Sequence, residues 1–102
     1  MIEQPVIDYA EAMRLLRPLA ELGDAEAQLW VGLLYFGGHG TRRNVAEAVV
    51  WWRKAAEQGY APGQLNLGMV YFSGEMGLPQ DYILAHMWSN LAAGIVRSLG
   101  KG

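Results

Sequence analysis

The sequence predicts an all-α chain of about five helices arranged as helix–turn–helix repeats, and three observations carry that prediction. A fifteen-residue segment, Asp24 to Gly38, returns 36 residues later as Tyr60 to Gly74. The positions shared by the copies recur at steps of three and four, the signature of one helical face. Glycine, aspartate and asparagine fall between those stripes, where helices stop and start.

The first overlay is identical at Ala25/Ala61, Gln28/Gln64, Leu29/Leu65, Gly32/Gly68, Tyr35/Tyr71, Phe36/Phe72 and Gly38/Gly74. That is seven of fifteen positions, where chance gives about one, so self-similarity is the economical explanation. Beyond this segment the offset becomes 37, matching Gly40/Gly77, Ala48/Ala85, Trp51/Trp88, Ala55/Ala92 and Ala56/Ala93. The extra residue falls in Gly74-Glu75-Met76-Gly77, where a loop absorbs it. A partial copy comes first, because Asp8 to Gly23 overlays Asn44 to Gly59, including Arg17/Arg53. The single domain 1–102 therefore divides into a half repeat (8–23), two full repeats (24–59 and 60–94) and a tail (95–102).

Taken in order, the first helix is expected over 8–22. Asp8 and Glu11 have capping-box spacing, and residues 12, 15, 16 and 19 form its stripe. Pro18 removes the bond to the Arg14 carbonyl and is expected to kink or restart that helix. The second helix, 25–37, follows Asp24 and ends at Gly37-Gly38. The third, 45–58, is opened by Asn44 with Glu47 and closed by Gly59. The fourth, 61–73, tolerates Pro62 in its first turn, where an N–H has no helical partner. The fifth is expected over 81–97, with Gly94 as a stop signal.

Gly32 and Gly68 lie mid-helix, where glycine costs about 1 kcal/mol relative to alanine. Their recurrence predicts a close helix–helix approach, with Ala48, Ala55 and Ala56 serving it from the other side. Tyr35 and Tyr71 are expected to reach the next helix, and Trp51 and Trp88 to fill the gap between helix pairs. Trp52, matched by Ser89, has no core role that the repeat assigns.

One string runs Ala27, Val31-Gly32, Tyr35, Gly38, Gly40, Asn44, Ala48, Trp51, Lys54-Ala55-Ala56 and Gly59. A second runs Gly63, Leu67-Gly68, Tyr71, Gly74, Gly77, Asp81, Ala85, Trp88, Ala92-Ala93 and Gly94. Together they resemble the SEL-one-like repeat (SLR), a relative of the tetratricopeptide repeat. The departures are Gly63 for the usual alanine, Leu91 for the usual lysine, an end at Gly94, and Leu15 and Pro18 in the half repeat. The resemblance implies a right-handed α-solenoid that serves as a non-catalytic adaptor or scaffold for other proteins.

Composition agrees. Of 102 residues 52% are hydrophobic and 18% charged, with a net charge of −2. That excludes intrinsic disorder, which needs low hydrophobicity and high net charge. A mildly acidic chain lacks the basic field that neutralises phosphates, so nucleic acid is not the expected partner. There is no cysteine, hence no disulfide framework or thiolate chemistry. The longest apolar run, Leu29 to Phe36, is eight residues and far too short to insert in a membrane. Met1 to Tyr9 has neither a basic n-region nor an apolar h-region, so a cytoplasmic chain is expected from the sequence as written. A periplasmic or exported chain is the alternative if a signal peptide has been removed.

Catalytic signatures fail on inspection. Gly37 to Arg43 lacks the lysine and preceding strand of a phosphate loop, and the second copy has Leu78-Pro79-Gln80 in place of Thr-Arg-Arg. His39 and His86 have no metal-ligand spacing. Ser73 has Tyr71 where a nucleophile elbow needs glycine. Glu11, Glu21, Glu47 and Glu57 recur as caps and exposed positions, not as a catalytic pair. No catalytic residue, cofactor or metal is expected.

What remains is surface. Copies differ at Glu26/Pro62, Trp30/Asn66, Leu33/Met69 and Gly37/Ser73, along one helical stripe. By analogy with tetratricopeptide-like solenoids this stripe lines the concave face, where Trp30, Leu33 and Met69 offer apolar contact and Asn66 a polar one. The expected partner is a protein or peptide. Self-association, or membership of a longer repeat array, is the alternative, since arrays usually need about three units and polar caps.

Overall fold

A computed structural model of the chain describes residues 8–74 and 82–94, the side chains of Tyr82 and Ile83 aside. The described residues form five α-helices: α1 (Tyr9–Glu21), α2 (Ala25–Gly37), α3 (Val45–Glu57), α4 (Ala61–Ser73) and α5 (Tyr82–Ala93). Each helix packs on its neighbour in sequence, and α2 also touches α4 across α3. That order of contacts makes the chain an α-solenoid, in which each unit buries its apolar face against the next.

The caps are those that the sequence marks. The side chains of Asp8, Asn44 and Asp24 accept the backbone N–H of Glu11 at 3.1 Å, of Glu47 at 3.0 Å and of Ala27 at 2.8 Å. Each satisfies an N–H that has no partner within its helix. The Glu11 carboxylate, rather than closing the capping box, turns to the Arg14 guanidinium one turn on. Helix α2 ends on Gly38 at φ 68°, a left-handed cap that an L side chain resists.

Pro18 does not restart α1, which runs unbroken to Glu21. The proline removes one bond near the end of the helix. Beyond it the last turn closes as Leu22 N–H donates to the Pro18 and Leu19 carbonyls and Asp24 N–H to that of Leu19. Of the expected fifth helix, residues 82–93 are helical and Gly94 has φ 78°. Asp81, Gly77 and the tail 95–102 lie outside the described residues.

The core runs the length of the stack. Val31, Ala48, Ala55 and Leu67 are fully buried, and Trp51 and Trp88 are buried among them. The tyrosines are turned the other way from expectation. Arg17 Nη1 of α1 donates to Tyr35 Oη at 2.8 Å, and Arg53 of α3 donates to Tyr71 Oη. Each tyrosine thus reaches the preceding helix, where an arginine offers its hydroxyl a donor. A second repeated pair seals the same junctions. Gln28 Nε2 donates to the Ala20 carbonyl at 3.0 Å and Gln64 Nε2 to that of Ala56 at 3.1 Å. Both glutamines are buried, where an unbonded amide would be costly.

The Arg–Tyr bond has a direct test. Tyr35→Phe keeps the ring and removes only the hydroxyl, so a loss of about 1 kcal/mol in urea unfolding is expected. Tyr71→Phe should match it, since the two sites share one geometry.

Candidate protein-docking groove

Close approach of α2 and α3 starts at Gly32. A Cβ on this residue would lie 2.6 Å from Trp52 Cδ1 and nearer still to Nε1. The indole therefore lies against bare backbone, with Nε1–H donated to the Leu29 carbonyl at 3.2 Å and the Phe36 ring at 5.4 Å. Trp52 is only 2% exposed. The core role that its sequence position left open is thus a central one.

This tryptophan forms the floor of a groove between α2 and α4. Leu33 and Phe36 stand on one wall, Asn66, Met69 and Ser73 on the other, enclosing about 270 Å³. The groove is apolar apart from the Asn66 amide and Ser73 hydroxyl, and it opens to solvent over Met69, which is 57% exposed. Pockets of this kind, mostly apolar with a few placed polar groups, suit a side-chain anchor.

Of the four surface residues that the sequence singles out, Leu33, Asn66 and Met69 meet in this groove. Trp30 does not. It is 48% exposed and lines an adjoining pocket with Tyr9, Leu16 and His39. Leu33 stands between the two pockets and lines both. The register explains the arrangement: Trp30 and Leu33 on α2 occupy the places that Asn66 and Met69 hold on α4. One pocket thus repeats the other, with Tyr9 and Leu16 of α1 at the repeat positions that Val45 and Trp52 of α3 hold.

Sequence reasoning missed Trp52 as the groove floor, because Ser89 in the second copy hid its role. It also left Arg17/Arg53 and Gln28/Gln64 unassigned. Their signal was present in the recurrence itself, since a polar residue identical in both copies points to a partner that also repeats.

The glycine-bearing loop after α2 is used structurally. Arg43 Nε donates to the Phe36 carbonyl at 2.9 Å, and its guanidinium lies 5.5 Å from the Phe36 ring centroid. His39 stacks on Tyr9 at 4.6 Å between ring centroids. Arg14, exposed beside Glu11, is held further toward its charged form by that hydrogen bond. Among the described residues no three His, Cys, Asp or Glu side chains gather as metal ligands, and no helix is long and apolar enough to cross a membrane.

The Sel1 repeat model matches residues 2–24, 25–60 and 61–93. The chain belongs to the Sel1 repeat family. Its structure is similar to that of a protective antigen of uropathogenic Escherichia coli strains displaying an SLR fold, with a TM-score of 0.82 and 40% identity over 86% of this chain. It is also similar to a Sel1 repeat protein from Oxalobacter formigenes, with a TM-score of 0.77 and 38% identity over 82% of this chain. The chain spans 19% of the length of the first and 34% of the second. No curated protein matches it. Sel1 repeat proteins are generally protein-interaction modules. The Sel1 match places its first unit boundary at residues 24/25 and its second at 60/61, each within the turn between two of the helices described above.

Proposed function

We propose that this Sel1 repeat chain is a non-catalytic interaction module that holds a peptide segment of a protein partner in the α2–α4 groove. The groove itself carries the reading, being an apolar cleft floored by a buried indole, with one amide and one hydroxyl on its wall. A rigid tryptophan floor costs little entropy on binding, which lets a short apolar anchor contribute strongly. Asn66 then sets register by hydrogen bonding to the backbone of the bound segment.

A displayed peptide library selected on the wild-type chain supplies the probe. A selected peptide, fluorescently labelled, should bind Asn66→Arg at least ten times more weakly, because the longer cation fills the groove and places a charge in it. Asn66 is half-buried and outside the apolar core, so the melting temperature should not change. Equal affinity for wild type and Asn66→Arg would remove the α2–α4 groove as the binding site. Trp30→Ala, tested beside it, reports whether the segment extends into the adjoining pocket.

Self-association is the second reading, supported by exposed Leu15 and Leu19 on α1 and Leu22 just after it. Sedimentation at micromolar concentration should then show a dimer that Leu19→Glu converts to monomer.

A further inference from the structure

Among the differences between the two repeats, one exchanges a large buried side chain for a small one and leaves a pocket. In the first repeat the Trp52 indole lies on Gly32, beside Phe36, with its N–H on the Leu29 carbonyl. The second repeat has the same surroundings in the same register, with Gly68 for Gly32, Phe72 for Phe36 and Leu65 for Leu29. In place of Trp52 it has Ser89. The serine hydroxyl lies against Gly68, where a Cβ would come within 2.6 Å of it, and stops where an indole would begin. Beyond it is a pocket of about 210 Å³, lined by Gly68, Met69, Phe72, Ala85, His86 and Ser89.

We propose that this α4–α5 pocket is an aromatic-anchor subsite that takes the indole of a tryptophan presented by the bound partner segment. The chain shows what its surroundings accept, because the equivalent place in the first repeat is filled by an indole bonded to a backbone carbonyl. Met69 lines this pocket and the α2–α4 groove alike, so one extended segment spans both. Its thioether and the Phe72 ring supply the soft and edge-on contacts that aromatic rings favour. The inference deepens the reading of the groove as a peptide site and rests on it for the partner's nature, while the pocket's preference for an indole is tested without any peptide.

The probe is N-acetyl-L-tryptophanamide, titrated into the full chain and followed by amide chemical shifts. Shifts should concentrate at Gly68, Phe72 and Ser89, and N-acetyl-L-leucinamide should give less than a tenth of them. Ser89→Trp should abolish the response and raise the melting temperature, since it rebuilds the Gly32–Trp52 arrangement within the chain. Phe72→Ala, an exposed wall residue whose loss leaves the core intact, should weaken the probe several-fold and serves if Ser89→Trp does not fold. Equal shifts from the two probes, a response that survives Ser89→Trp, or one undiminished in Phe72→Ala, would overturn the assignment. So would concentration-dependent self-association lost in both Ser89→Trp and Trp30→Ala, which would make the occupant a second copy's exposed Trp30. The groove reading fails separately, through Asn66→Arg, which leaves this pocket's walls unchanged.

Discussion

Trp52→Ala is expected to cost about 3–5 kcal/mol of folding stability, the range for truncating a large buried aromatic. For a domain of this size that lowers the melting temperature by roughly 15 °C or more. Three losses add. The indole is 2% exposed, its N–H bond leaves the Leu29 carbonyl, and the Phe36 ring loses its neighbour. The cavity cannot collapse easily, because Gly32 on the opposite helix brings no side chain to fill it. Urea unfolding of the variant measures the cost. A loss below about 1 kcal/mol would mean that Trp52 lies at the surface rather than beneath the groove. Peptide binding should fall with it, since the groove loses its floor.

Gly32→Leu is expected to cost about 3 kcal/mol, the upper end for overpacking a tight core. Even a methyl group there would lie within 2.6 Å of the indole, so a leucine must evict it. The mid-helix propensity gain of about 1 kcal/mol over glycine softens the cost but does not remove it. The two changes should then compensate. In a Trp52→Ala background the introduced leucine enters the cavity that the indole left, so the double variant should be more stable than Trp52→Ala alone. Two residues in contact give this kind of non-additivity, whereas independent sites would add. Strict additivity in a double-mutant cycle would show that Gly32 and Trp52 do not touch.

The same pair shows where sequence and structure part. Gly32 and Gly68 are identical at one repeat position, and a costly residue retained twice announces a close approach. What approaches is not announced, because it differs: an indole at Gly32 and a serine hydroxyl at Gly68. Overlaying copies finds what the repeats share and is blind to where they diverge. Trp52 could be seen only as unmatched. The tyrosines illustrate a second limit. Periodicity places Tyr35 and Tyr71 on the buried face but cannot say which neighbouring helix receives the hydroxyl. That choice belongs to Arg17 and Arg53, eighteen residues earlier in each case and brought near only when the helices pack.

The candidate site divides in the same way. Differences between copies mark Trp30, Leu33, Asn66 and Met69 as one stripe, yet the stripe is not one site. Helices α2 and α4, which meet across α3, bring Leu33 beside Asn66 and Met69, while Trp30 lines the adjoining pocket with Tyr9 and Leu16 of α1. A stripe is a property of one helix, and a groove is a property of two.

The sequence by itself determined the helices, their caps, the order of the units and the family. Those follow from local forces, the 3.6-residue period, side-chain capping and glycine's left-handed freedom, each acting over a few residues. Only the tertiary structure decided that Trp52 floors a groove, that Ser89 leaves a pocket beside it, and that the conserved-looking arginines serve tyrosines. Those depend on distances between helices, which are set when apolar faces close on one another and buried groups such as the Gln28 and Gln64 amides are brought to their partners.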